Sequence, residues 1–126
     1  NMAVSIVPNV AREKMAKARA GLAELPPITH VAFGDGGCDS DGTVLTPAST
    51  MTALNHELLR KTISEKRVTA QCVITYVGKL AEGELDGKSV SEIALIDSEG
   101  DLANVQFFKG KADDLEQTFE IDDDYS

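Results

Sequence analysis

The sequence has little of several residue types that define common classes of small protein. It contains no tryptophan and two cysteines among 126 residues, and aromatic residues make up only 5%. Two cysteines, Cys38 and Cys72, are too few for a disulfide scaffold, and they do not have the CxxC spacing of a metal site. No apolar run approaches the roughly 20 residues that a transmembrane helix needs. We therefore expect a reduced, cytosolic environment and no membrane span.

Basic residues are also scarce. Lys and Arg total 12 against 21 Asp and Glu, which gives a formal net charge of −9. The segment 112–126 alone carries −7 and contains no Lys or Arg. A protein that binds nucleic acid uses a basic face to displace counterions from phosphates, and the sequence contains no segment that predicts such a face. We therefore expect no nucleic-acid partner.

The rest of the composition, with 42% hydrophobic and 26% charged residues, is typical of a globular protein. The length predicts a single domain over residues 1–126, with an acidic C-terminal segment at 112–126. One helix is predicted from about Pro8 to Ala23, because apolar residues recur every three or four positions on one face. These residues are Val7, Ala11, Met15, Ala18, Leu22 and Leu25.

Alternating and β-branched residues predict strands over 28–33, 58–64, 68–77, 90–96 and 102–108, with 115–121 as a further candidate. Both faces of 68–77 are apolar, which favours a strand in the middle of a sheet. The segment 97–101 is typical of a hairpin turn in which Gly100 supplies a positive φ. The predicted fold class is α+β, with an N-terminal amphipathic helix packed on a mostly antiparallel β-sheet or small sandwich.

The loop 34–42, with four glycines and three aspartates, is the first candidate for chemistry. It has no phosphate-binding glycine motif. Asp39, Asp41 and Gly42 resemble positions three, five and six of an EF-hand calcium loop, but positions one and twelve would lack a carboxylate. A solvated turn is the simpler interpretation. Asp35, Asp39 and Asp41 remain weak metal candidates, which a small calcium-dependent carbohydrate-binding module would use as ligands.

A small hydrolase that uses Cys38 or His56 is the enzymatic alternative. The acidic neighbours of Cys38 do not favour the reactive thiolate, which needs Lys, Arg or protonated His nearby. Structural roles are therefore the simpler interpretation for Cys38 and His56. We expect no catalytic residue and no cofactor.

Four short segments form an ordered set: 16–21 (AKARAG), 28–37 (ITHVAFGDGG), 54–60 (LNHELLR) and 90–102 (VSEIALIDSEGDL). Together they resemble the phage tail-collar fibre family, the N-terminal module of bacteriophage tail-fibre proteins, whose motifs are AxAG, VAxGDG, LxNE and EIGLFDxDGxL. The likeness covers residues 10–108. Two motifs depart from the pattern, since His56 separates Asn55 from Glu57, and Ala94 and Ile96 replace the Gly and Phe of the last motif.

The resemblance implies a virion structural protein of a phage or prophage, which attaches a fibre to the tail or baseplate through protein–protein contacts and has no enzymatic activity. It implies other tail or baseplate proteins as partners and a homo-oligomer, with a trimer favoured. It also implies location in the virion tail after synthesis in the cytoplasm of the bacterial host. The family's shaft and receptor-binding tip have no counterpart in these residues, so receptor binding is not implied.

The hairpin 90–108 and the loop 34–42 are the candidate contact surfaces, because both lie at predicted sheet ends. For Glu92 we expect a solvent-facing side chain, and the alternative is a partly buried acid that caps or pairs across an interface. Aromatic residues among charges also suit an interface. The predicted interface residues are Glu92, Ile96, Asp97, Phe107, Phe108 and Phe119.

Overall fold

The computed structural model describes residues 3–126. These residues form one helix and eight strands. The helix is α1 (Asn9–Arg19), which follows the first strand. The strands are β1 (Val4–Ile6), β2 (Ile28–Gly34), β3 (Glu57–Thr62), β4 (Glu65–Ala70), β5 (Val73–Leu80), β6 (Val90–Asp97), β7 (Leu102–Lys111) and β8 (Gln117–Asp124).

The strands form two antiparallel sheets. A five-stranded sheet has the order β1-β7-β6-β2-β3, and a three-stranded sheet has the order β4-β5-β8. The coarse prediction of a mostly antiparallel protein with one short helix is therefore confirmed. The two sheets are joined by the short connection between β3 and β4, where the Ser64 N–H donates to the Val77 carbonyl at 2.9 Å.

The period of two along each strand separates two core clusters. In β2, Val31 and Phe33 belong to the first cluster and Ala32 to the second. The first cluster lies between the sheets, since it combines residues of β2, β6 and β7 with Leu80 of β5 and Ile121 of β8. Every residue of β6, which lies between β7 and β2, is buried.

Helix α1 begins after Pro8, whose carbonyl accepts the Ala11 and Arg12 N–H groups. Val10 packs against the second core cluster and Ala11 is buried. The predicted apolar face is wrong at its C-terminal end: the helix stops at Arg19, and Leu22 beyond it is 78% exposed. With 11 residues α1 is short, and no helix in the described part of the chain is long and apolar enough to cross a membrane.

The strand predictions fail mainly at 68–77. This segment is the end of β4 and the start of β5, joined by a turn in which Cys72 has a φ of 68°. Strand β4 is exposed throughout, whereas β5 is the central strand of its sheet. The hairpin turn after β6 is confirmed, with Gly100 at a φ of 87°. The last strand begins two residues later than predicted, and β1 was not predicted.

Candidate functional site

Glu92 joins three segments that are far apart in the sequence. Its side chain is 0% exposed, although we expected it to face solvent. Oε2 accepts the N–H groups of Gly36 at 2.9 Å and His56 at 2.7 Å, and Oε1 accepts the N–H of Asn55 at 2.9 Å. We call this group, Glu92 with Gly36, Asn55 and His56, the Glu92 junction.

Gly36 and Gly37 allow the glycine loop to lie directly against β6. A Cβ atom on Gly36 would lie 2.8 Å from Glu92 Oε2, and one on Gly37 would overlap the carbonyl of Ser91. The Gly37 N–H donates to Ser91 Oγ at 2.9 Å, and Asn55 Nδ2 donates to the Gly36 carbonyl at 2.9 Å. Side chains larger than hydrogen at Gly36 or Gly37 would therefore separate the loop from the strand.

The carboxylate of Glu92 is occupied by backbone N–H groups of two loops. Backbone donors reach both carboxylate oxygens, and hydrogen bonds from three N–H groups compensate for burial of the charge. A general base needs an oxygen within reach of a substrate proton. The Glu92 oxygens have no exposed surface for that contact.

The predicted interface residues lie mostly inside the domain. Glu92, Ile96, Asp97, Phe107 and Phe108 are all buried within this chain. Phe119 is partly buried, and its ring centroid lies 5.5 Å from that of Phe33 in the core between the sheets. These side chains pack within the domain, and their contact with a partner stays a prediction.

Asp97 belongs to a charged cluster at the hairpin turn. Lys14 Nζ on α1 lies 2.7 Å from Asp97 Oδ2, 2.7 Å from Glu99 Oε1 and 2.8 Å from Asp101 Oδ2. Burial opposes the charge of Lys14, but hydrogen bonds to Asp101, Asp97 and Glu99 outweigh this effect and raise its pKa well above the ordinary value. The ammonium group thus serves as the internal counterion of three carboxylates and links α1 to the sheet.

Removing Lys14 is expected to expose a cation site. The ligand oxygens of Asp97, Glu99 and Asp101 lie within 4.8 Å of one another, and hard carboxylate oxygens suit calcium. We expect Lys14→Met to lower Tm, and millimolar calcium to restore stability by about 1.4 kcal/mol at a concentration tenfold above Kd. Differential scanning calorimetry with and without calcium measures both effects.

Lys17→Met is the matched control, because Lys17 lies on the same helix and is exposed. Calcium should leave both the Lys17→Met variant and the unmodified chain unchanged. A calcium response of the unmodified chain would contradict the role of Lys14 as the counterion.

The structure does not bring Asp35, Asp39 and Asp41 together as ligands; in residues 3–126 the carboxylate cluster is the one at the hairpin turn. Asp39 Oδ1 instead accepts the N–H groups of Asp41 and Thr43, each at 2.9 Å, which is a local turn. Asp35 contacts the ring Nδ1 of His56.

The two residues of the hydrolase alternative have separate partners. Cys38 Sγ donates to the carbonyl of Phe108 at 3.3 Å. The His56 ring contacts Asp35, and the ring is mostly exposed. A nucleophile and its base need a mutual hydrogen bond, and the contacts of the described residues include none between Cys38 and His56.

Sequence reasoning missed a polar group between the sheets. Asn104 on β7 donates from Nδ2 to Asp123 Oδ1 on β8 at 3.1 Å, and both residues are buried. Burial raises the pKa of Asp123, and hydrogen bonds from Asn104 and Tyr125 offset only part of that effect. A run of three aspartates gives no sequence signal that the middle one points inward, apart from its alternation with Ile121 along the strand.

The pH dependence of stability is expected to identify Asp123. Because its pKa is raised in the folded protein, its ionisation lowers the free energy of unfolding as the pH rises through that pKa. The free energy of unfolding of Asp123→Asn, relative to that of the unmodified chain, should therefore be higher near pH 7 than at about pH 3.5. Urea unfolding at several pH values measures this difference.

Asp124→Asn is a control of opposite sign. Hydrogen bonds from the side chain and backbone of Ser126 lower the pKa of Asp124. The contribution of Asp124 to stability is therefore present above the ordinary carboxyl pKa and is lost as the pH falls. Near neutral pH, Asp124→Asn should therefore have a lower free energy of unfolding, relative to the unmodified chain, than Asp123→Asn. The same pH trend for both variants would contradict the assignment.

Comparisons with known proteins give no match: no family model matches the chain, and neither does a curated protein or a solved structure. The residues themselves must therefore supply the basis for a function.

Proposed function

We propose that this chain is a structural protein of a phage or prophage virion, a tail-fibre or tail-collar module that attaches a fibre to the tail or baseplate through protein–protein contacts. The observation that supports the proposal most strongly is the Glu92 junction. Its residues come from three of the four segments that resemble the tail-collar fibre family: 28–37, 54–60 and 90–102.

The contacts of the junction suggest what the motif residues do: they hold three segments of the chain together. Glu92 belongs to the hairpin motif, Gly36 to the glycine loop and Asn55 to the third segment. Each segment contributes a backbone or side-chain group that the other two require for their position. Motifs with this role hold loops in place on a rigid sheet. An attachment module requires such a rigid framework. The proposal assigns no catalytic residue.

The proposed module includes the helix. The finer fold proposal, an amphipathic helix packed on the sheet, is supported by the buried side chain of Ala11, the contact of Val10 with the second core cluster and the ion pair of Lys14 with Asp97.

We propose a homo-oligomer, with a trimer favoured, that contacts other tail or baseplate proteins. Exposed apolar side chains away from the Glu92 junction are available for such contacts: Leu22, Leu25, Val68 and Leu115. Light scattering behind size exclusion should give a mass three times that of the 13.4 kDa chain. A mass of one chain at every concentration would contradict the trimer.

Purified particles test the virion location. Phage particles induced from the bacterium that encodes the chain would be banded on a density gradient and analysed by quantitative mass spectrometry. We expect the chain to co-purify with other tail proteins at a fixed copy number per particle, after synthesis in the host cytoplasm. Depletion from the particles to the level of an abundant cytoplasmic protein would overturn the proposal.

A further inference from the structure

A groove lies where α1, the segment 25–28 and strands β5 and β8 meet, with a volume of about 250 Å³. Its walls are mainly apolar and aromatic. We call it the tyrosine groove and define it by Met15, Leu25, Pro27, Tyr76, Asp123 and Tyr125. It lies outside the Glu92 junction, although Ile28 and Asp97 of the motif segments also line it.

Asp123 is the unusual member of the tyrosine groove. The residue is 7% exposed, and no Lys, Arg or His of the described residues lies within ion-pair distance of it. Its hydrogen-bond partner Asn104 is 4% exposed, and the amide oxygen Oδ1 of Asn104 is buried without a partner. Buried polar atoms normally have partners. Asp123 therefore has the Asn104 amide and the Tyr125 hydroxyl as donors but no cationic partner within residues 3–126.

The charges around the tyrosine groove favour a cation. Lys14 lies at the groove, but its ammonium is bound to Asp97, Glu99 and Asp101, so that cluster keeps a net negative charge. Asp123 adds a further carboxylate. A phosphate or carboxylate ligand would be repelled, whereas aromatic residues in the wall, here Tyr76 and Tyr125, favour a cation.

The walls of the tyrosine groove also define the shape of the ligand. A primary ammonium has three donors and no acceptor, which suits the carboxylate of Asp123, a residue of the groove wall. A linear alkyl stem can lie along Leu25 and Pro27 while its charged end reaches inward. Lysine combines both properties in one side chain, and a partner protein can present it to an exposed groove.

We propose that the tyrosine groove binds the side chain of a lysine presented by a partner protein, with its ammonium group on Asp123. This inference does not depend on the proposed virion function. A protein of another function would keep the same groove, and a tail protein without lysine binding would keep the same location in the particle.

The test uses capped lysine, Nα-acetyl-lysine N-methylamide, as the probe and capped norleucine as its uncharged analogue. The chain has two tyrosines and no tryptophan, and both tyrosines line the groove. Tyrosine fluorescence and the tyrosine ring signals in NMR spectra therefore report on this groove. We expect saturable changes with capped lysine and affinity at least about tenfold weaker for capped norleucine.

Two variants locate the charge. Asp123→Asn should weaken binding of capped lysine by at least about tenfold, because the ion pair is lost. Asp124→Asn makes the same change of net charge at the next residue of β8, whose side chain is exposed, and should weaken binding less than about twofold. Circular dichroism establishes that each variant is folded.

Each other outcome overturns the inference. Equal binding of the lysine and norleucine probes, a comparison that needs no variant, would remove the role of the ammonium. Equal losses from Asp123→Asn and Asp124→Asn would indicate long-range attraction alone. Binding of free n-butylammonium without binding of capped lysine would assign the groove to small amines and overturn the partner protein as the source.

Discussion

Glu92→Ala is expected to lower the free energy of unfolding by about 3–5 kcal/mol, one of the two largest effects predicted for this chain. The substitution removes the acceptor of three backbone N–H groups, at Gly36, Asn55 and His56, and leaves a cavity at a fully buried position. Urea unfolding measures the loss. The amide proton signals of Gly36, Asn55 and His56 should also move upfield as their hydrogen bonds to a carboxylate are lost.

Glu92→Gln keeps the shape of the side chain and tests the charge. Its amide has one acceptor oxygen, so we expect an intermediate loss of about 1–3 kcal/mol. Glu24→Ala is the control, since Glu24 is exposed, and it should lie within about 0.5 kcal/mol of the unmodified chain. A loss below about 1 kcal/mol for Glu92→Ala would mean that the junction does not hold the three segments together.

Gly37→Ala is expected to lower the free energy of unfolding by about 3 kcal/mol or more. The added methyl group would overlap the backbone carbonyl of Ser91, which cannot rotate away as a side chain does. The loop would have to move off β6 and would lose the hydrogen bond from the Gly37 N–H to Ser91 Oγ. Thermal and urea unfolding measure the effect.

Gly110→Ala is the matched control for this steric argument. A Cβ atom at Gly110 would lie 3.4 Å from Ser89 Oγ, an ordinary contact with a side chain that can rotate. We expect a change of less than about 1 kcal/mol. Similar losses for the two variants would show that replacing either glycine destabilises the chain, and that the effect of Gly37→Ala does not come from overlap with Ser91.

The sequence predicts local turns best where a glycine marks them. The hairpin after β6 is predicted correctly, because a turn signal with Gly100 lies between two apolar runs. The break at Cys72 is not, because a residue other than glycine adopts positive φ there and both flanking strands are β-forming. Leu22 has the spacing of a helical face, although the helix ends before it.

The candidate sites depend on contacts between distant residues, which spacing does not encode. Glu92 looks like any polar residue among apolar neighbours, and only the position of the glycine loop shows that its partners are backbone N–H groups. Asp123 lies in a run of three aspartates, and its hydrogen bond with Asn104 on β7 distinguishes it from its neighbours. Single-sequence patterns describe what each segment prefers, whereas these sites are set by which segments meet.

The pairing of β1 with β7 has a consequence for biosynthesis. Val4, Ser5 and Ile6 pair with Phe107, Gln106 and Val105, so β1 pairs with a strand that is synthesised much later than β1 itself. On the ribosome, β1 must wait until about a hundred further residues have emerged before it can join its sheet. Until then β1 has no strand partner, whereas the pairs β2–β3 and β4–β5 can already form.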